Sequence, residues 1–436
     1  VYLLAPIALA FSIACFAQTE PGLASKPGLS IRSLSIDEAV VAALQENPEI
    51  RSAVRRVSLA QMKTSTARSL DDPMLMVRDW STPLTKPWDL NQAQIMVGLQ
   101  QTFPNRQKRE MRARLAEDDA TVEASNLESL RQEVAAEARK LCADLMRNAD
   151  EMKLHESQES LLKEALSVAL AQYTTGKVPQ ADVLRAQMAL TRLSEHLIEL
   201  EEERDTARAQ LNVLMGRPPD EAIEIEGSYT TPATLPAIED LEHTAMEHRP
   251  ELSGLRSQIT KSKNEGTMSR LGMKPDFTVA LGYMLMPTGS TARNAYMAEG
   301  SMNLPWLNRE RHEGEAKQAD AATELTQSEL EARASAVFLE IRQAQIAVLS
   351  AEKRVKLYRD TLLPQAEASF KASTAAYQNN RAEFMSLIDA QNLLLDIQTA
   401  YYKASAESDA GMAQLERAIG APLKSATKQE TGRASK

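Results

Sequence analysis

Five methionines crowd one stretch of this chain: Met273, Met284, Met286, Met297 and Met302. Thioethers are soft ligands that suit Cu(I) and similar ions. Met284 and Met286 are two apart in a segment of alternating character, so they share one face, and Met297 keeps their parity in the next such segment. Met284, Met286 and Met297 are the candidate metal contacts, and adaptable packing is the competing reading. His243 and His248 stand five apart, not the four that set two ligands on one helix face. The stretch GSTARN from Gly289 to Asn294 lacks the phosphate-loop lysine and reads as a surface loop between strands. No nucleophile, base and orienting acid come together in the pattern, so neither an enzyme nor a cofactor is expected. Cys142, inside a helical pattern, reads as a small apolar packing residue. Cys15 lies in the uncharged opening VYLLAPIALAFSIACFA, residues 1–17, which has the character of a secretory signal. Lipidation of Cys15 and cleavage after Ala17 are alternatives.

What must position such groups is a chain of long helices. Of 436 residues only 4% are aromatic and 16 are glycine, while Ala, Leu, Glu, Gln, Arg and Ser fill long stretches. The net charge is −10 with no Lys/Arg-rich run, which argues against a nucleic-acid partner. The chain also repeats itself. YTTGKVPQADVLRAQ from Tyr173 is echoed by YQNNRAEFMSLIDAQ from Tyr377, at an offset of 204. Asn47-Pro-Glu is echoed by Arg249-Pro-Glu, and Leu211 with Gly216 by Leu415 with Gly420, in the same order along the chain. The expected organisation is a signal at 1–17, an extended segment at 18–34, repeat 1 at 35–220, a linker at 221–237, repeat 2 at 238–424 and a disordered tail at 425–436.

Within each repeat the period changes from helical to two and back. Ser35 and Glu38 have capping-box spacing before the first helical run. Strands are expected near 73–81, 92–103, 276–286 and 295–304, where apolar and small or polar residues alternate. Trp80, Trp88 and Trp306 fall in or beside them, as an interfacial girdle would. From Gln107 to about Gln172 there is neither proline nor glycine, giving a rod on the order of 100 Å. Its counterpart from Arg309 to Ala376 is broken by Gly314 and Pro364. Leu190, Leu193, Leu197, Leu200 and Leu211 follow coiled-coil spacing on the returning helix.

Strands of this length suit a membrane wall, but four cannot close a barrel and an open edge cannot face lipid. Two copies would give eight strands with a filled interior; three give twelve and leave a lumen. The expected fold is mainly α, with two long antiparallel coiled-coil hairpins per chain and a twelve-stranded trimeric barrel. The duplicated segment is then the far turn of each hairpin, with Asp182 and Glu383 in the first turn of the returning helix.

Over nearly its whole mature length the sequence resembles the TolC family of outer-membrane efflux channels. The resemblance is carried by LSIDEAVVAALQENPEI, FPNRQKRE, YTTGKVPQADVLRAQ with its later copy, LNVLMGRPP and LERAIGAPL. The compact linker and the Asn-Pro-Glu opening look more like the branch serving heavy-metal and cation pumps. The resemblance implies a homotrimeric conduit in outer-membrane lipid that reaches through the periplasm. It implies a periplasmic adaptor, or membrane fusion protein, and an inner-membrane proton-driven pump of the resistance-nodulation-division type. It further implies adaptor docking at the tips, at Gly176, Lys177, Val178, Asp182, Asn379 and Asn380. The family's gate maps onto Tyr377, Arg381 and Asp389, with Ser386 where a second acidic ring is common. Arg185 occupies in repeat 1 the slot of Asp389 in repeat 2, so the two are expected to pair between neighbouring hairpins across a closed tip. An exit duct for secreted proteins and a soluble periplasmic coiled-coil scaffold are the alternative functions.

Overall fold

The computed structural model describes residues 32–81, 94–176, 178–229, 235–286, 290, 294–379 and 381–423. The candidate signal with Cys15, Trp88, Lys177, Asn380, most of GSTARN and the 425–436 tail lie outside the described residues.

The chain opens on β1 (Arg32–Ser35), α1 (Ile36–Glu46) and α2 (Pro48–Arg68). The capping box forms: the Glu38 amide donates to Ser35 Oγ at 3.3 Å and the Ser35 amide to Glu38 Oε2 at 2.9 Å, satisfying donors that the first turn leaves unpaired. Two strands follow, β2 (Met74–Ser81) and β3 (Gln94–Phe103), then the long hairpin α3 (Arg106–Thr174) and α4 (Gln180–Leu214). After β4 (Ile223–Glu226) the same order recurs in α5 (Ile238–His248), α6 (Pro250–Leu271), β5 (Phe277–Leu285), β6 (Asn294–Met302), α7 (Arg309–Leu357), α8 (Leu363–Gln378) and α9 (Phe384–Ile419).

β1 and β4 pair in parallel, a two-stranded ribbon additional to the four strands read from the alternation. The segments expected to be an extended stretch and a linker thus supply a wall of the first core. Leu34 and Ile223 pack there with Ala39, Val40 and Ala43 of α1, Leu141 and Cys142 of α3, and Leu211 and Met215. Burial pushes the Cys142 thiol up to about 12, so it is a packing group rather than a nucleophile. A second core repeats this arrangement with Leu241, Leu252, Val337, Ile341 and Leu415. Both returning helices end on a left-handed glycine, Gly216 (φ 68°) and Gly420 (φ 73°).

At 69 residues α3 runs unbroken, about 100 Å at 1.5 Å per residue. Its counterpart is interrupted by a π-helical turn at Tyr358–Leu362. Pro364 explains the break, because it cannot donate to the carbonyl four residues back and its ring would crowd that carbonyl. Along α3 the buried face changes character partway. Between Met146 and Leu162 its buried residues are Asn148, Glu151, His155 and Gln158, an apolar seam turned polar.

Candidate functional site

The first candidate site is the sheet. Four strands form one antiparallel layer in the order β2, β3, β5, β6, so the repeats meet between β3 and β5, where Val97 stands opposite Tyr283 and Leu99 opposite Leu281. The period of two divides it into two faces. One carries Leu75, Val77, Val97, Leu99, Leu281, Tyr283, Leu285 and Tyr296, all exposed, Tyr296 at 91%. Tyr283 and Tyr296 pack edge to face with centroids 5.7 Å apart. Trp80 belongs to β2, and Trp306 lies exposed in the short turn after β6. An exposed apolar face this broad requires an apolar surrounding.

The other face is polar and sulfur-rich. Register sets Arg78, Met96, Met284 and Ala295 in one row and Met76, Gly98, Gly282 and Met297 in the next. The glycines open the space: a Cβ on Gly98 would lie 2.6 Å from the Leu281 carbonyl oxygen, and one on Gly282 3.2 Å from Met96 Sδ. Across this gap Arg78 reaches Glu299 at 3.5 Å. Met284 and Met297 do share a face, as their parity predicts. Met284 Sδ accepts from Gln94 Nε2 at 3.0 Å and Met76 Sδ from Arg78 at 3.3 Å. Met302 stands opposite Phe277 on the apolar face, and Met286 follows the last paired residue of β5. Met76 and Met96, missed in the sequence, were readable from the parity of β2 and β3.

At the strand-to-helix passage the two repeats are tied together. Asp276 accepts from the Asn105 amide and from Lys108 Nζ, each at 2.8 Å. Asn105 also caps α3 by accepting from the Gln107 amide. This fixes the rods to the sheet.

The second candidate site is the pair of tips. In the first, Thr174 and Thr175 donate to the carbonyls of Ala171 and Gln172, and Gly176 (φ 71°) turns the chain toward Val178 and Pro179. Asp182 lies in the first turn of α4, as expected. Glu383 instead precedes α9 as its flanking residue and makes no side-chain cap, so its expected place inside the first turn is corrected. In the second tip Asn379 Nδ2 donates to the Ala375 carbonyl at 2.7 Å and the Arg381 amide to Ala376 at 2.8 Å. Tyr377 leaves its own hairpin: its hydroxyl donates to Gln172 Oε1 at 3.5 Å and its ring packs with Leu162, Ala186, Leu193 and Ile388. Arg185 bonds Asp182, three residues back, at 3.4 Å, while Asp389 is exposed on α9; within one chain Arg185 is held by Asp182 and not by Asp389.

The decoys stay local. His243 pairs with Glu247 at 3.8 Å and His248 with the Thr244 carbonyl. Among the described residues no three His, Cys, Asp or Glu side chains are grouped to hold a metal ion, and no helix is long and apolar enough to cross a membrane.

Residues 39–217 match the profile of the family described as Outer membrane efflux protein. Over 387 residues the chain is 20% identical to the cobalt-zinc-cadmium resistance protein CzcC of Cupriavidus metallidurans, covering 89% of this chain and 90% of that one. The profile match covers the first repeat, from α1 to the end of α4. The fold is shared with the outer-membrane channel OprN (TM-score 0.74, 17% identity, 88% of this chain and 89% of that one). It is shared also with CusC (0.76, 13%, 92% and 96%) and with VceC of Vibrio cholerae (0.72, 17%, 89% and 97%).

Proposed function

We propose that this protein is the outer-membrane channel of a tripartite efflux system, a passive exit duct carrying metal cations or small toxic compounds. The observation that carries the reading is a four-stranded sheet with one exposed apolar face, joined directly to helices about 100 Å long. Its strands of 8 to 10 residues suit a tilted crossing of the hydrocarbon layer. β2 and β6 each pair on one side only within the chain, and an unpaired edge in lipid costs several kcal/mol per backbone group. Three copies joined edge to edge close twelve strands around a lumen lined by the face that bears Arg78 and Glu299. The hairpins then carry the conduit inward, where their tips meet a periplasmic adaptor linked to an inner-membrane pump. Transport of cations is favoured by the similarity to a cobalt-zinc-cadmium resistance protein.

Purification tests the architecture: the protein leaves membranes only with detergent and runs as a trimer. A monomer soluble without detergent overturns it. Deletion of the gene tests the cargo, with sensitivity to cobalt, zinc or cadmium rising and plasmid-borne protein restoring resistance. Unchanged metal tolerance, with export of a secreted protein lost, would instead mean a secretion duct.

A further inference from the structure

The polar stretch of α3 has a second side. His155, 7% exposed, faces α4, and its Nδ1 is buried without a hydrogen-bond partner. Burial, and then the neighbouring His196, hold its imidazole below the usual value. The ring centroids of His155 and His196 are 6.0 Å apart with planes tilted by 30°. His196 Nδ1 is 3.1 Å from Glu199 Oε2. A carboxylate at that nitrogen keeps the proton on Nδ1 and leaves the Nε2 lone pair for a ligand, the usual outer support of a metal-binding histidine.

Two imidazoles on one tetrahedral ion at about 2.0–2.1 Å per bond bring their centroids to roughly 5.2 Å. The observed 6.0 Å is slightly wider, and a small turn of the exposed His196 side chain closes the difference. Other burials of histidine in a coiled-coil seam leave the ring hydrogen-bonded; here the nitrogen lacks a partner while a second imidazole stands beside it. With His196 60% exposed, an ion has access from solvent and room for water in its remaining positions.

We propose that His155 and His196 form a binding site for a divalent transition-metal ion of the zinc, nickel or cobalt class, with Glu199 orienting His196. The site clips the outgoing helix α3 to the returning helix α4 about 25–30 Å from the first tip, at 1.5 Å per residue. Each chain has one, because repeat 2 carries Ala400 in the slot of His196 and a π-helical turn at the matching height of α7. The site stands on its own geometry and does not depend on what the channel carries.

The test titrates ZnCl2 into the chelator-treated, full-length protein in detergent. The expected result is one saturable zinc per chain, with a raised unfolding temperature. His196→Ala, on an exposed position that leaves the helical circular dichroism intact, lowers the affinity at least tenfold, and Glu199→Gln lowers it about tenfold. Absence of saturable binding to the wild type, or equal binding by His196→Ala, overturns the proposal.

Discussion

At the corner between its first two helices, repeat 1 uses an amide where repeat 2 uses a guanidinium. Asn47 accepts from the amides of Glu49 and Ile50 at 2.8 and 3.0 Å and donates to the Leu214 carbonyl at the end of α4. Arg249 donates to the Ala418 carbonyl at the end of α9, at 2.8 Å, and also to Glu251 and Glu340. Arg333 completes a four-charge group by bonding both carboxylates. The mechanical task is one, tying the corner to the end of the returning helix, but the neutral version is a cap and the charged version is a buried network. Arg249 is 1% exposed, so its charge is tolerable only while its partners remain ionised.

The largest expected effect follows. Arg249→Met leaves two partly buried carboxylates to Arg333 alone and costs about 3 kcal/mol, whereas Asn47→Ala removes a cap and costs about 1–2 kcal/mol. Denaturant unfolding of the detergent-solubilised protein measures both, and equal losses would erase the distinction. Acid sharpens it. Burial raises the Glu251 carboxyl, but the Arg249 hydrogen bond and charge outweigh burial and hold it below the usual 4.5. A lowered folded value means stability that is present above pH 4.5 and lost as pH falls through the folded value. Repeat 2 should therefore loosen first on acidification, seen as earlier amide exchange around α5 and α6 than around α1 and α2, and Arg249→Met should weaken that pH dependence, leaving the part due to Arg333.

Next in size are the two glycines that close the same corners. A Cβ on Gly216 would lie 2.5 Å from the Glu46 carbonyl oxygen, and one on Gly420 2.8 Å from that of His248. Both residues have positive φ, so alanine meets backbone strain and a backbone clash together. Gly216→Ala and Gly420→Ala should each cost about 1–3 kcal/mol, the first at least as much as the second. A neutral Gly216→Ala in thermal unfolding would mean that α1 can back away from the end of α4.

How far this was legible follows from the range of each interaction. The capping box at Ser35 needs three residues, and the alternation of β5 needs nine, so both could be read locally. The rod of α3 could be read from the absence of breakers. The π-turn could not be placed, although Pro364 announced an interruption, because where the extra residue is absorbed depends on the packing of α9. The β1–β4 ribbon was lost because Ile-Glu-Ile-Glu is too short to stand out and its partner begins 191 residues earlier. Arg249 was visible as a repeat position but not as a buried charge, since Glu340 lies 91 residues away. For the same reason the sequence displays His243 and His248, which share a helix, and hides His155 and His196, which meet only when the hairpin folds. The Arg185–Asp182 pair spans three residues and was readable locally.

The smallest effect concerns the tips. Tyr173 and Tyr377 open the duplicated segments, yet Tyr173 is exposed while Tyr377 reaches across to Gln172 of the other hairpin. At 3.5 Å that bond is at the long limit of hydrogen bonding and contributes well under about 1 kcal/mol. Tyr377→Phe keeps the ring among Leu162, Ala186 and Ile388 and removes only the hydroxyl, so unfolding should be unchanged. What should change is the ease with which the two hairpins separate at their tips, because this bond crosses between them whereas the Arg185–Asp182 pair stays within one helix. Single-channel recordings in planar bilayers should then show a modest rise in opening for Tyr377→Phe, none for Tyr173→Phe, and a larger rise for Tyr377→Ala, which also takes the ring out of the cluster. Equal behaviour of the Tyr173 and Tyr377 variants would mean that the two tips act as equivalents and that the contact between hairpins carries no part of the closure.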